Sequence, residues 1–376
     1  MRRVKRDAKT YGLSESQELS KMVAPDLPYR PGNPKQYNPP IGLIGCGGIT
    51  QTHLRAYHKA GYRVVALCDV IRARAEKRRD EFYPKANVYT DYRELLGRDD
   101  VEVVDIATHP AERVSLIEAA LNSRKHVLSQ KPFVLALDTG ERLIELAEEK
   151  DCRLAVNQNG QWAPHFSYIR HAIKQGIIGK VISAHLRVHW DHSWTAGTPF
   201  DNLHHLILYD FAIHWFDIVT QFMGGRPAKR VYASLTHAPG QKPKPPLLGQ
   251  VLIEYEAAQS TLVFDAALPY GSLDHTFVGG TEGTLCSSGL NLDSQEVTLT
   301  TRDGFAHPQL EGTWFPDGFH GTMAELLCSI EEGREPSNSA RENLKSLALC
   351  FAAIKSADTG RPQTIGEVRS IKMDRK

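Results

Sequence analysis

From Ile41 onward, short apolar runs alternate with helical stretches. Ile41–Ile44, Arg63–Cys68, Val101–Ala107, His126–Ser129 and Leu154–Asn157 carry apolar residues at successive positions, with Glu102 and Asp105 interrupting the third run. Thr50–Ala60, Arg72–Phe82, Glu112–Asn122 and Leu137–Glu149 lie between them and read as helices. Strands that are apolar on both faces and separated by helices predict a parallel sheet. Right-handed crossovers then wind that sheet doubly, giving an α/β domain.

Beyond about residue 162 the pattern changes. Val181–His192 alternates strictly: Ser183, His185, Arg187, His189 and Asp191 share one face, and Ile182, Ala184, Leu186, Val188 and Trp190 the other. This is the signature of a strand buried on one side. Gly249–Tyr255, Gln259–Ala266, Thr276–Gly279, Thr284–Ser287 and Glu296–Thr301 read alike. Two helical stretches close the chain, His320–Glu332 and Ala340–Asp358, the second stopped by Gly360 and Pro362. The expected second domain is α+β, with an open, mostly antiparallel sheet.

Residues 1–40 differ from both. Six of the 21 prolines fall there, and those from Pro25 to Pro34 recur at every third position, which favours extended chain. Their eight basic and four acidic residues give +4, against +1 for all 376 residues. Two readings stand: a flexible tail, or an arm that wraps a neighbouring subunit and buries Leu27, Tyr29 and Tyr37. The expected division is therefore 1–40, an extended arm; 41–161, a nucleotide-binding domain; and 162–376, a substrate-binding and oligomerisation domain.

Composition narrows the function. Lys+Arg is 45 and Asp+Glu 44, too even for a nucleic-acid or polybasic membrane protein. No apolar window is long enough to span a bilayer. The basic residues at the start are followed by no apolar signal core. The six cysteines are scattered and form no CxxC pair, so they read as small hydrophobes in a reducing compartment. A cytoplasmic location is expected.

Candidate chemistry begins where the first strand runs into Gly45-Cys46-Gly47-Gly48-Ile49-Thr50. A strand precedes this loop, a helix follows it, and Asp69 ends the next strand, which is the context of a dinucleotide fingerprint. Gly45 permits the tight turn, Gly47 lets the backbone approach a pyrophosphate, and the helix N-terminus presents N–H groups to it. Thr50 stands at the third fingerprint position, where Gly or Ala is usual. Asp69 would bind ribose hydroxyls and repel a 2′-phosphate, favouring NAD over NADP.

Two further loops lie at strand carboxyl ends, Thr108-His109-Pro110 and Ser129-Gln130-Lys131-Pro132. A desolvated Lys131 there could take part in proton transfer. In the apolar stretch 210–224, Asp210, His214, Asp217 and Gln221 follow helical spacing and share one face. So thin a polar stripe means buried polar groups: either Asp210 caps the helix with His214 satisfied one turn away, or the carboxylate is oriented beside an imidazole that acts as general base. His185, His189, His192, His204 and His205 precede it. Four residues of strand separate His185 from His189 by about 13 Å, too far to share an ion. No catalytic metal is expected. Sugar-binding polar groups interleaved with Trp190, Trp194 and Phe200 are.

Together these residues resemble the glucose–fructose oxidoreductase / inositol dehydrogenase (Gfo/Idh/MocA) family over about residues 41–366. The marks are the glycine loop, Asp69, Lys131-Pro132 and Asp210…His214…Asp217. The resemblance implies a Rossmann domain followed by an open-faced α/β domain, homo-oligomers (dimers, tetramers or larger) built through that sheet, and redox chemistry at a sugar or polyol hydroxyl. It implies catalytic roles for Lys131, Asp210 and His214. NAD contacts are expected from Gly45, Gly47, Gly48, Ile49, Asp69, Thr108, His109, Pro110, Lys131 and Gln158. Substrate contacts are expected from Lys131, Trp162, His189, Asp191, Asp210 and His214. Three positions depart from the family pattern: Gln130 stands for the usual Glu, Ala212 for Gly, and Arg113 where many members carry His. The expected activity is oxidation of a ring secondary hydroxyl, with C3 as a candidate, of a sugar or glycoside by hydride transfer to NAD. Redox-neutral glycoside cleavage through a transient 3-keto intermediate, and a non-catalytic NAD-sensing or scaffold protein, are the alternatives.

Overall fold

The fold is that of a computed structural model, and the structure describes residues 19–372. Six strands, β1 (Pro40–Ile44), β2 (Arg63–Cys68), β3 (Asn87–Tyr89), β4 (Val103–Ile106), β5 (His126–Gln130) and β6 (Leu154–Asn157), form the first sheet. Their order is β3-β2-β1-β4-β5-β6, and every pair is parallel. Helices α1 (Thr50–Ala60), α2 (Arg72–Phe82), α3 (Tyr92–Leu96), α4 (Pro110–Asn122) and α5 (Leu137–Glu149) connect them. The order reverses between β1 and β4, which opens a crevice at their carboxyl ends.

α6 (Pro164–Lys174) leads into the second sheet, and its pattern explains why it was not expected. Pro164 through Ile169 are all buried, so polar exposure appears only in its second half, at Arg170, His171 and Lys174. The second sheet contains β7 (Val181–His189), β8 (Ala228–Thr236), β9 (Leu248–Tyr255), β10 (Ala258–Asp265), β11 (Leu273–Gly280), β12 (Gly283–Asn291), β13 (Ser294–Thr301), β14 (Gly304–Ala306) and β15 (Gln363–Thr364). The order is β14-β13-β12-β11-β7-β10-β9-β8-β15. Only β7 and β10 pair in parallel; the other neighbours are antiparallel. Helix α7 (Ile213–Phe222) covers one face, where Ala184, Leu186, Val188, Leu262 and Phe264 are buried. The other face is open. One position reverses the alternation expected of β7: a register shift opposite Gly279/Gly280 buries Val181 and turns Ile182 outward, 47% exposed.

The strands of the two sheets fall on either side of residue 162, but the helices do not respect that division. α8 (Trp314–Glu331) packs on α1, where Phe319, Met323 and Leu327 join Leu43, Leu54 and Tyr57 in one apolar cluster. α9 (Ala340–Thr359) packs between α5, α7 and β8. The chain after the second sheet thus completes the first layer. Its amphipathic pattern could not reveal which sheet it would cover.

The described part of the arm lies on its own chain. Met22 N–H donates to Phe305 O (2.8 Å) and Phe305 N–H to Ser20 O (3.0 Å), extending the edge at β14. Tyr168 Oη–H donates to Pro25 O (3.1 Å), and Leu27 is buried. The Glu331 carboxylate accepts N–H groups from Lys35, Gln36 and Tyr37 at 2.7–2.8 Å. Residues 1–18 of the arm lie outside the described residues.

Candidate active site

The glycine loop is shaped as its sequence requires. Gly45 has φ of +91°, and a Cβ there would stand 2.8 Å from Ala107 O. At Gly47 and Gly48 an added Cβ would meet nothing within 4 Å, so the loop leaves open space on that side. No side chain caps α1. Its positive dipole end is therefore left to that space, while Gln51 N–H and Thr52 N–H turn back to Gly48 O (3.3 Å) and Ile49 O (2.9 Å). Ile49, just before the helix, is 40% exposed. Thr50 is buried and its hydroxyl donates to Gly47 O (2.7 Å), which is how Thr is accommodated at the third fingerprint position. Asp69 is buried, and its two oxygens accept the N–H groups of Cys46 and Ile71 at 2.8 Å each. Asp69 therefore braces the glycine loop, a task beyond the one its position suggested.

Other groups converge on the crevice. The Thr108 hydroxyl and both polar atoms of the Gln158 amide are buried without a hydrogen-bond partner among the described residues. Pro110 opens α4 and His109 precedes it, exposed. Orphaned donors and acceptors beside an uncapped helix N-terminus and an open glycine loop fit a dinucleotide, which would satisfy them. Arg78 was missed. Buried behind the loop, its Nη2–H donates to Gly47 O (3.1 Å) and Gly48 O (3.4 Å), holding the carbonyls on its own side. Nothing separated Arg78 from the other charges of α2 in the sequence.

Lys131 follows β5. Its Nζ donates to Asp210 O (2.9 Å) and stands 3.4 Å from Asp210 Oδ1, with both side chains largely buried. Arg113 is fully enclosed in α4. It donates to Gln130 O (2.5 Å) and also to the carbonyls of Pro132 and Thr108, tying the two crevice loops together. Burial without a carboxylate partner lowers its guanidinium to about 10.

The polar stripe is less regular than expected. Leu206–Phe211 forms a wider π turn, and α7 starts only at Ile213. Asp210 thus belongs to the turn, where its carbonyl is free to meet Lys131. His214 Nδ1 is buried without a partner among the described residues. Burial and the Lys131 ammonium hold this imidazole well below its usual range, so it is neutral. Asp217 faces elsewhere. It accepts from Gln161 Nε2 (2.7 Å), lies 3.5 Å from Ser346 Oγ, and is raised by burial to about 7. The structure therefore brings Lys131, Asp210 and His214 together and leaves Asp217 in the packing.

The remaining expected substrate contacts each have other partners. Trp162 is buried under α8, where a Cβ on Gly321 would clash with its ring, and Arg170 lies over it at 5.5 Å. Its nearest opening also holds Tyr29, Lys59 and His320, at the far end of α1 from the glycine loop. His189 pairs with Asp265 (2.8 Å) on the open face of the sheet, because the period of two turns it away from buried Val188. Asp191 is exposed and accepts Ser193 N–H (2.9 Å). Beside Asp210 stand aromatic rings instead: Phe211 lies 4.4 Å from His192 and 6.2 Å from Phe200, and Phe200 lies 5.6 Å from exposed Trp194. Trp314 closes the other side, 5.4 Å from His214. Among the described residues, His204, His205 and Asp358 could gather round an ion, at the far end of α9.

Comparison with known proteins decides the family. Residues 40–158 match the model described as "Oxidoreductase family, NAD-binding Rossmann fold", and residues 166–286 match the "GFO/IDH/MocA C-terminal domain". The chain belongs to the Gfo/Idh/MocA family. It is an NAD-binding oxidoreductase, which leaves the non-catalytic alternative without support. It is 27% identical over 335 residues to a D-apiose dehydrogenase of Paraburkholderia graminis, covering 85% of this chain and 88% of that one. An inositol 2-dehydrogenase of Rhizobium meliloti is 24% identical over 325 residues, covering 84% and 96%. Among solved structures, an Agrobacterium radiobacter oxidoreductase in complex with NAD+, L-tartaric acid and magnesium shares the fold, with TM-score 0.79, 24% identity and coverage of 88% and 99%. No helix among the described residues is long and apolar enough to cross a membrane.

Proposed function

We propose that this oxidoreductase oxidises a ring secondary hydroxyl of a sugar, polyol or glycoside, with C3 as the candidate position in a pyranoside. The observation that carries the reading is the meeting of Lys131 Nζ with Asp210 beside a neutral His214. Relatives named for D-apiose and inositol support the substrate class, as do the aromatic rings flanking Asp210. Such rings suit the apolar face of a sugar while polar groups bind its hydroxyls.

NAD, held by the glycine loop, Asp69, Thr108 and Gln158, supplies the hydride acceptor. The residues manage the proton. Neutral His214 accepts the hydroxyl proton. Lys131 donates to the same oxygen and stabilises the charge that develops on it. Asp210 holds the ammonium in place through its carbonyl and carboxylate. Negative charge arising between Lys131 and His214 offsets the repulsion that keeps the imidazole neutral at rest.

The Lys131→Met enzyme should bind NAD normally and lose at least about 100-fold in turnover. The assay follows absorbance at 340 nm with myo-inositol, D-apiose, free hexoses and methyl glycosides, together with product analysis. Near-normal turnover in the variant sinks the assignment. Glycoside cleavage without NADH formation would instead favour the redox-neutral reaction. The open sheet face, where Tyr232 and Leu252 are 44% and 41% exposed, is the proposed homo-oligomer surface.

A further inference from the structure

Beneath Lys131 lies a buried polar chain that the reaction just described does not use. Asp105, in the middle of β4, is fully buried. Its Oδ2 accepts Tyr57 Oη–H (2.7 Å) and stands 2.7 Å from His53 Nδ1, both on α1. His53 is also fully buried. On its other side His53 Nε2 lies 3.0 Å from Gln130 Nε2 and 3.4 Å from Asn157 Nδ2. Gln130 Oε1 accepts the backbone N–H of Lys131 (2.7 Å).

These contacts admit one proton arrangement. An ionised Asp105 is an acceptor only, so the imidazole proton facing it sits on Nδ1. Nε2 is then a lone pair, which must accept, and the Gln130 amide turns its NH₂ toward it. The amide oxygen is left facing the Lys131 N–H. A flipped amide would set a donor against the Lys131 donor and an acceptor against the His53 lone pair. In so enclosed a site each mismatch would leave a buried donor or acceptor unpaired. The other neighbours of the ring add no charge: Phe319 of α8 lies tilted at 4.5 Å, and the Asn157 amide stands 3.1 Å from Thr322 Oγ1, whose hydroxyl also reaches Phe319 O (3.1 Å).

We propose that His53 is a positioning residue: through Gln130 it orients the Lys131 peptide, and the neutral Gln at 130 is matched to the Nδ1–H tautomer that Asp105 imposes. The proposal deepens the reading above and rests on it, since Lys131 must be the catalytic lysine for the positioning to matter. A glutamate at 130, the usual family residue, would still accept from Lys131. Its second oxygen would face the Nε2 lone pair, and that contact is relieved only by a proton between them, on the carboxylate or on Nε2.

The test has a spectroscopic and a kinetic arm. Protein labelled with ¹⁵N-histidine is saturated with NAD, and the His53 signals are assigned by their loss in His53→Gln. The wild type should show the Nδ1–H tautomer with Nε2 as acceptor, and Gln130→Glu a displaced Nε2 signal, because a proton shared with the carboxylate replaces the amide N–H. Identical His53 signals in wild type and Gln130→Glu overturn the proposal. In the kinetic arm, run on whichever of the panel sugars is turned over, His53→Gln should lower kcat about 10–100-fold. NAD affinity and KM should stay within about twofold. Gln130→Glu should shift the pH profile of kcat, a change that mere loss of packing does not produce. Equal losses in kcat, KM and NAD binding mark a purely structural role and overturn it, and should Gln130→Glu fail to fold, the His53→Gln kinetics decide alone. Lys131→Met separates the two levels: if it retains turnover, the catalytic reading fails whatever the imidazole spectrum shows.

Discussion

Most of what distinguishes this protein at the scale of single residues is how buried charges are treated. Asp105 looked like a blemish in an apolar strand, yet a fully buried carboxylate must be given donors: its Oδ2 receives Tyr57 and His53, while Oδ1 has no partner among the described residues. Asp217 fitted the polar stripe, but tertiary packing gives it to Gln161 and Ser346. Burial raises it from 3.8 to about 7. Between those values the folded chain holds a proton that the unfolded chain has released. Its contribution to stability is therefore complete below the lower value and is lost as pH rises through the upper one. Asp217→Asn should gain on the wild type as pH rises from about 4 to 7, by at most about 1.4 kcal/mol per pH unit. Thermal melts at several pH values check this; a difference that does not vary with pH removes the protonated Asp217.

Single elements carry the site. The turn from β1 into α1 depends on Gly45, where a side chain would meet both a positive φ and the Ala107 carbonyl. Gly45→Ala should cost about 1–2 kcal/mol from backbone strain alone. It should also weaken NAD binding, because the loop would have to shift from β4. A melting curve and an NADH fluorescence titration read the two effects, and an unchanged affinity would show that the turn tolerates the shift. Element legibility followed periodicity. β1, β2, β5 and β6 announced themselves because each is apolar at successive positions. α6 stayed hidden because it is buried nearly all round, and β8 because it opens with Ala228-Lys229-Arg230. The π turn was hidden for another reason: helical spacing places Asp210 and His214 on one face without specifying how the turn between them closes.

For the whole molecule, the open face of the nine-stranded sheet is the surface left to explain. Register sets Tyr232, Leu252, Thr261, His185 and Phe277 in one row across five strands, all pointing away from the helices. A row that mixes apolar and hydrogen-bonding groups suits a second copy of the same sheet. Leu252→Lys should shift the protein toward monomer in sedimentation velocity at micromolar concentration. A wild type that is itself monomeric overturns the oligomer, and a variant that sediments identically moves its surface off this face. The arm contributes differently from either expectation over residues 19–40. It runs along its own chain from β14 to α8, and Glu331 fixes it by accepting three successive backbone N–H groups.

From sequence alone came the two sheet types and the glycine loop, and a family resemblance carried by short motifs singled out Lys131, Asp210 and His214 as candidates. Each rests on local periodicity or on a short motif whose physics is complete within a few residues. Only the tertiary structure decided which polar groups meet. Gln130, His53 and Asp105 come from three separate elements. Trp162 and His189 had suitable chemistry for a substrate, but packing buried the first and strand parity set the second on the open sheet face with Asp265. A side chain's chemistry is written in the chain; its partners are set by where distant segments pack, because burial makes an unpaired polar group costly.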